Sequence, residues 1–362
     1  MKSPKLKIAI NGFGRIGRNV LRAYLERFAK NPQTFDFDIV AINDIADAET
    51  LLYLLKYDST HGRLHQRIDL QIELQTEWQN DTQYSHFIIK IANKILKIAI
   101  LQQPNPTKID WKDYQVDLVL ESTGHFRSYE QAYQHITSGA NQVIIGSAPF
   151  DRVDASIVLG VNDSELSRNK PILSSVSCTT QAVVPLLYVL DNAFGIDTAM
   201  MTEIHAVTAD QTVLDQAHRD FRRGRASGHN IVPTTSSSIG AVGRVLPNMI
   251  GKINGYSIRV PTVDVAVIDV NFVFKKPTNI DKINQVLKQA SEQDFADIMG
   301  LSDEPLVSSD FIHEPYSLVI DSLQTMSVGN TNSQQFKVLA WYDNEWGYAN
   351  RMLDICQKLA IK

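Results

Sequence analysis

Cysteine is scarce: Cys178 and Cys356 are the only two in 362 residues. A disulfide-stapled secreted scaffold is therefore excluded, and each thiol has to be explained singly, as packing or as chemistry. Long apolar runs are missing as well, with nothing near the roughly 18 residues that mark a membrane span. Met1–Lys5 lead straight into a strand-like segment rather than a leader, so no membrane, no signal peptide and a cytoplasmic setting are expected. Nor is there an excess of positive charge. Lys and Arg number 35 against 40 Asp and Glu, a net charge of −5, which argues against a protein whose primary partner is nucleic acid. Disorder is excluded by 44% hydrophobic residues against 21% charged. At about 150 residues per domain, the length predicts two.

What is present begins with Lys7-Ile8-Ala9-Ile10, a short apolar strand, followed by Asn11-Gly12-Phe13-Gly14-Arg15-Ile16-Gly17-Arg18. Helical spacing then takes over at Val20, Leu21, Tyr24 and Leu25. A Gly-x-Gly-x-x-Gly between strand and helix suits a pyrophosphate: one glycine for the turn, one for close approach, one for packing. The next strand, Phe37–Ile42, ends at Asn43-Asp44, and Asp44 is placed to accept from the ribose hydroxyls of NAD and to repel the extra phosphate of NADP. The polar-rich segment 27–35 accounts for its later-than-usual position. Residues 66–110 say least, although Ile68–Leu74 alternates like a half-exposed strand. Val116–Leu120 reads as a buried parallel strand running into Glu121-Ser122-Thr123-Gly124, where a ligand can meet its carboxyl end. Ser128 and Gln131 have the spacing of a capping box, and Gly139 stops that helix. Repeated strand–helix–strand order predicts a doubly wound sheet up to about residue 177.

Cys178 stands between a strand-like segment and a helix predicted from about Thr180, where a helix N-terminus favours thiolate. Cys356 lies among Met352, Leu353, Ile355 and Leu359 and reads as packing. His205 closes an apolar strand. Arg219, Arg222, Arg223 and Arg225 crowd one segment, which suits small anions or a subunit boundary better than nucleic acid. Ala266, Ile268, Val270, Phe272 and Phe274 alternate with more polar neighbours, a strand with one apolar face.

Taken in order, Asn11–Arg18, Lys56-Tyr-Asp-Ser-Thr-His-Gly62, Ser177-Cys-Thr-Thr180, Arg259-Val-Pro-Thr262 and Trp341-Tyr-Asp-Asn-Glu-Trp-Gly347 resemble the phosphorylating glyceraldehyde-3-phosphate dehydrogenases. Erythrose-4-phosphate dehydrogenases share the framework. The resemblance covers nearly the whole chain and implies an α/β fold. A Rossmann-type NAD-binding domain would comprise residues 1–177 and 344–362, and an α+β catalytic domain with a largely antiparallel sheet would comprise 178–343. It also implies a homotetramer, a glycolytic role, NAD as cofactor, no metal, and a sugar-phosphate aldehyde with inorganic phosphate as substrates. Cys178 then corresponds to the nucleophile, His205 to the acid/base and Asn344 to the residue that positions nicotinamide. Gly12, Phe13, Gly14, Arg15, Ile16, Gly17, Asp44 and Ser147 fall at cofactor positions. Ser177, Thr179, Thr208, Arg223, Ser236, Ser237 and Arg259 fall at substrate or phosphate positions. The implied reaction passes through a cysteine thiohemiacetal and thioester to 1,3-bisphosphoglycerate. Oxidation of erythrose 4-phosphate to 4-phosphoerythronate, and a catalytically weak NAD-binding paralogue, are the alternatives. The chain departs from the family pattern at Gln181 (usually Asn), which keeps an amide with shifted geometry, at Ala182 (usually Cys), with little catalytic consequence expected, and at Ser237 (usually Gly) and Gly240 (usually Lys), which predict weakened phosphate binding.

Overall fold

The structure, a computed structural model, describes residues 5–79, 82–329 and 333–362. Residues 1–4, on which the expectation of no leader partly rests, lie outside the described residues. The chain divides into two compact units, one made of Met1–Ile157, Ser164–Val176 and Ala349–Lys362, the other of Val158–Asp163 and Ser177–Tyr348.

The first unit opens as the apolar periodicity dictates: β1 (Leu6–Asn11), α1 (Arg15–Lys30), β2 (Phe37–Asn43) and α2 (Ala48–Lys56). A small hairpin, β3 (Tyr57–Asp58) with β4 (Gly62–Arg63), and the one-turn α3 (Leu64–Arg67) lead into β5 (Leu70–Gln79), β6 (Thr82–Ile91) and β7 (Lys94–Leu101). Then come β8 (Leu118–Glu121), α4 (Tyr129–Thr137), β9 (Gln142–Ile145), β10 (Ala155–Ser156) and β11 (Ile172–Ser174). Nine strands pair in the order β10-β11-β9-β8-β1-β2-β7-β6-β5. Every pairing from β10 to β7 is parallel, while β7, β6 and β5 form an antiparallel meander at one edge. The parallel strands are buried on both faces; Val119, Val143, Ile145 and Trp111 form one apolar layer under α4. The order of strands reverses between β1 and β8, where open α/β sheets leave a crevice at their carboxyl ends.

In the second unit the sheet is mixed. It is built from β12 (Ile196–His205), β13 (Val232–Thr234), β14 (Ile253–Arg259), β15 (Ala266–Thr278), β16 (Met299–Ser302), β17 (Leu318–Val328) and β18 (Ser333–Tyr342). Their order is β13-β14-β12-β15-β18-β17-β16, antiparallel except for β14–β12 and β17–β16. Helices α5 (Cys178–Phe194), α6 (Ser238–Val245) and α7 (Ile280–Glu292) belong to this unit, and α8 (Trp346–Ala360) closes the chain. The alternation of β15 is as the sequence predicts, with Ile268, Val270, Phe272 and Phe274 fully buried. Helix α5 starts at Cys178 rather than near Thr180, because the Ser177 hydroxyl caps it by accepting the Thr180 amide at 3.0 Å.

Candidate active site

At the carboxyl ends of β1, β2 and β8 the first unit holds a cleft of about 280 Å³ lined by Asn11, Gly12, Gly14, Asp44, Ser122 and Thr123, among others. The glycine pattern forms it for steric reasons. Gly12 sits at φ +88°, and a Cβ there would lie 2.6 Å from the Thr123 amide. Gly14 faces open space and leaves the start of α1 without a side-chain cap, a helix N-terminus that an anion can approach. Asp44 is pinned by the Phe13 amide at 2.6 Å and the Ala46 amide at 3.0 Å. Arg15 donates to Asp58, which also accepts the Thr60 and His61 amides. Burial alone would raise the Asp58 pKa, but the His61 amide and Arg15 together hold it below the usual carboxylate range. Beneath the cleft, Trp111 donates to His135 Nδ1 at 3.1 Å, which leaves the ring proton on Nε2, 3.1 Å from Glu121. Glu121 also accepts from Asn11 and from the Thr123 amide, tying β1 to β8. The hydroxyls of Ser122 and Ser147 are buried with no partner among the described residues. Ser122 lines the cleft, where its hydroxyl fits the polar edge of a dinucleotide.

In the second unit, Cys178 is the first residue of α5 and His205 the last of β12. Cys178 Sγ lies 3.6 Å from His205 Nε2. His205 Nδ1 is 2.7 Å from the Ala206 carbonyl, so Nδ1 carries the proton and donates, and Nε2 turns its lone pair to the thiol. Strand register brings Arg259 of β14 directly beside His205, and its Nη1 donates to the same Ala206 oxygen at 3.3 Å. Burial and then the charge of Arg259 push the His205 pKa down to about 3. Burial, followed by the Glu203 carboxylate, pushes the Cys178 thiol up to about 12, although Arg259 pulls it down. Burial therefore opposes charge on both partners, while Arg259 favours the thiolate and Glu203 opposes it.

The substrate-side residues divide. Ser177 bonds to Ser238 Oγ at 3.0 Å, which joins the N-termini of α5 and α6 beside Cys178. The Thr179 hydroxyl is buried, donating to Glu203 at 3.0 Å and accepting from Tyr342 at 2.8 Å. Only its backbone remains for a ligand. Ser236 also donates to Glu203. Ser237, exposed, precedes α6 without a side-chain cap, and Gly240 faces open space. Thr208 bonds to Gln211. Arg223 is anchored by Thr234 at 2.8 Å and paired with Asp210 and Asp220, while Arg225 pairs with Asp215 at 3.0 Å. The arginine cluster is therefore largely neutralised within its own loop. Among the described residues, no hydrogen bond joins Thr208 or Arg223 to Cys178, His205 or Arg259. The Asp343 carboxylate accepts the Trp346 amide at 2.6 Å and fixes the turn that carries Asn344. Asn344 Oδ1 is buried without a partner among the described residues. Glu203 and Ser238 are the residues that sequence reading missed. The signal for Glu203 was its position two residues before His205, on the same buried face of β12.

The family described as "Glyceraldehyde 3-phosphate dehydrogenase, NAD binding domain" matches residues 6–129, and "Glyceraldehyde 3-phosphate dehydrogenase, C-terminal domain" matches 177–344. Among curated proteins, a glyceraldehyde-3-phosphate dehydrogenase of Geobacillus stearothermophilus is 41% identical over 358 residues, 99% of each chain. That of Mycobacterium avium is 43% identical over 350 residues, 97% of each. That of Xanthobacter flavus is 41% identical over 349 residues, 96% of this chain and 97% of the relative.

Proposed function

This chain belongs to the glyceraldehyde-3-phosphate dehydrogenase family, and from that premise we propose that Cys178 and His205 carry an NAD-dependent, phosphorylating oxidation of glyceraldehyde 3-phosphate to 1,3-bisphosphoglycerate. The observation that carries the reading is the contact between Cys178 Sγ and the unprotonated Nε2 of His205. Sulfur attacks the aldehyde carbon as its proton passes to Nε2, and the imidazolium then protonates the new alkoxide to give a thiohemiacetal. NAD, when bound, accepts the hydride that leaves that carbon. His205 Nε2 takes the hydroxyl proton in the same step, leaving a thioester on Cys178. An oxygen of inorganic phosphate attacks the thioester carbonyl, the C–S bond breaks, and the sulfur recovers its proton from His205. Arg259 anchors phosphate beside the pair. Thr208 and Arg223 bind substrate only after exchanging their present partners. Gly12, Gly14, Arg15, Asp44, Ser122 and Ser147 would hold the dinucleotide, and Asn344 its amide.

We place the protein in the cytoplasm and in glycolysis, as a homotetramer. Both cysteines are unpaired, which suits a reducing compartment, and no helix among the described residues is long and apolar enough to cross a membrane. Leu214, Phe221 and Ile231 are exposed apolar side chains of the kind that subunit contacts cover.

The test measures NADH and acyl phosphate separately with each sugar phosphate while phosphate is varied. Turnover with glyceraldehyde 3-phosphate should depend on phosphate, and Arg259→Ala should weaken phosphorolysis at least about tenfold, far more than Ser236→Ala. A thioester that hydrolyses at one rate whatever the phosphate concentration, with erythrose 4-phosphate preferred, would overturn the reading.

A further inference from the structure

Glu203 is 3% exposed and bears no ion pair among the described residues. What it has instead are hydroxyls. Oε1 accepts from Thr179 at 3.0 Å, and Oε2 accepts from Ser236. The Thr179 oxygen in turn accepts from Tyr342, whose phenol burial and the nearby Glu203 charge keep protonated. An ionised carboxylate can only accept hydrogen bonds. A serine hydroxyl has one proton, so while Ser236 donates to Glu203 it presents only lone pairs elsewhere. The Ser238 amide at 3.2 Å points the same way, since it donates to that oxygen and takes one of the lone pairs.

We propose that Glu203 sets how tightly this site holds inorganic phosphate, by drawing the Ser236 proton away from the incoming anion and placing a carboxylate of like charge behind it. The proposal rests on the phosphorolysis reading above. Its ground is the orientation of one hydrogen bond and the absence of a cation to neutralise the acid. Because Glu203 itself is buried, its charge is screened less than a surface carboxylate's. The same charge opposes ionisation of Cys178. Glu203 touches none of the reacting atoms; it acts through Ser236 and through its field at Cys178, as a positioning residue.

Glu203→Gln tests this. The amide can give its N–H to Ser236 Oγ and its carbonyl to Thr179, keeping the Tyr342–Thr179 chain and freeing the serine proton. With aldehyde and NAD saturating, the Michaelis constant for phosphate should fall about tenfold. The constants for aldehyde and NAD should move far less. Alkylation of Cys178 by iodoacetamide should shift to lower pH, a change that a purely structural role would not produce. Adding Ser236→Ala to Glu203→Gln should return the phosphate constant toward its original value. A folded Glu203→Gln with the phosphate constant unchanged or raised overturns the proposal, as does a gain that survives Ser236→Ala undiminished. If the Gln variant fails to fold, Glu203→Thr removes the same charge with a side chain that suits a strand, and the same criteria apply. Should the parent thioester prove indifferent to phosphate, phosphorolysis is wrong for the parent; a phosphate dependence gained by Glu203→Gln still upholds the role of Glu203, and continued indifference overturns both.

Discussion

A thiol and an imidazole 3.6 Å apart share one proton, and their surroundings decide where it rests. Burial opposes charge on both and so favours the proton on sulfur; Glu203 adds to this at Cys178 and Arg259 at His205, while Arg259 also draws the thiol the other way. The unliganded thiol should therefore alkylate faster and faster above pH 9 instead of levelling near neutrality. It should still outpace Cys356, which is fully buried. A plateau near pH 7, or equal labelling of the two, would contradict a proton held on sulfur. Cys178→Ser should leave the fold and NAD binding intact while turnover falls by at least about a thousandfold. His205 adds a pH signature of a different kind. Its folded pKa of about 3 lies below the 6.5 of a free side chain, so between those values the unfolded chain binds the extra proton. Stability is full above 6.5 and is lost as the pH falls toward 3. Denaturant titrations should thus show the parent losing more stability between about pH 7 and pH 4 than His205→Asn does. That variant should also slow hydride transfer by about 10²–10⁴-fold, and an unchanged NADH burst would remove the base role.

Elements whose cause is local were legible in the sequence. The capping box of α4 is present in both directions, Ser128 with Gln131, and β15 buries the side its alternation announces. What escaped was set by distant partners. Ile68–Leu74 alternates visibly, but its place as the outer strand of a meander depends on β6 and β7, not on its own residues. The segment 27–35 is less of a loop than its polarity suggests, since α1 runs to Lys30 and Phe35 stacks on Tyr24 at 4.9 Å. Glu203 shares the buried face of β12 with His205, but its role depends on Thr179 and Ser236, which reach it from other parts of the chain. The end of β2 carries a prediction of its own. Asp44 is oriented by the Phe13 amide, so Asp44→Ala loses a ribose acceptor and also frees the glycine turn. NAD should bind at least about tenfold more weakly and the preference over NADP should narrow. Equal affinity of the parent for both dinucleotides would refute the assignment.

At the scale of the whole chain, the first unit is discontinuous: it needs residues 349–362 to be complete. Met352, Leu353, Ile355, Cys356 and Leu359 are fully buried, Arg27 pairs with Asp354 at 2.8 Å, and Arg168 donates to the Leu359 and Ala360 carbonyls at 2.9 Å. Removing the residues after Tyr348 should abolish NAD binding and lower the melting temperature by many degrees, which calorimetry would report; an unchanged transition would mean that the terminal helix is dispensable. Translation adds a second consequence. Polypeptides leave the ribosome amino end first, and an amino-terminal domain ordinarily finishes folding while the rest is still being made. This one cannot. Its apolar seat for α8 stays bare until residues 349–362 have been made, so nascent chains stalled before residue 349 should be far more protease-sensitive in their first half than chains that contain α8, and more dependent on whatever chaperone meets them at the exit tunnel.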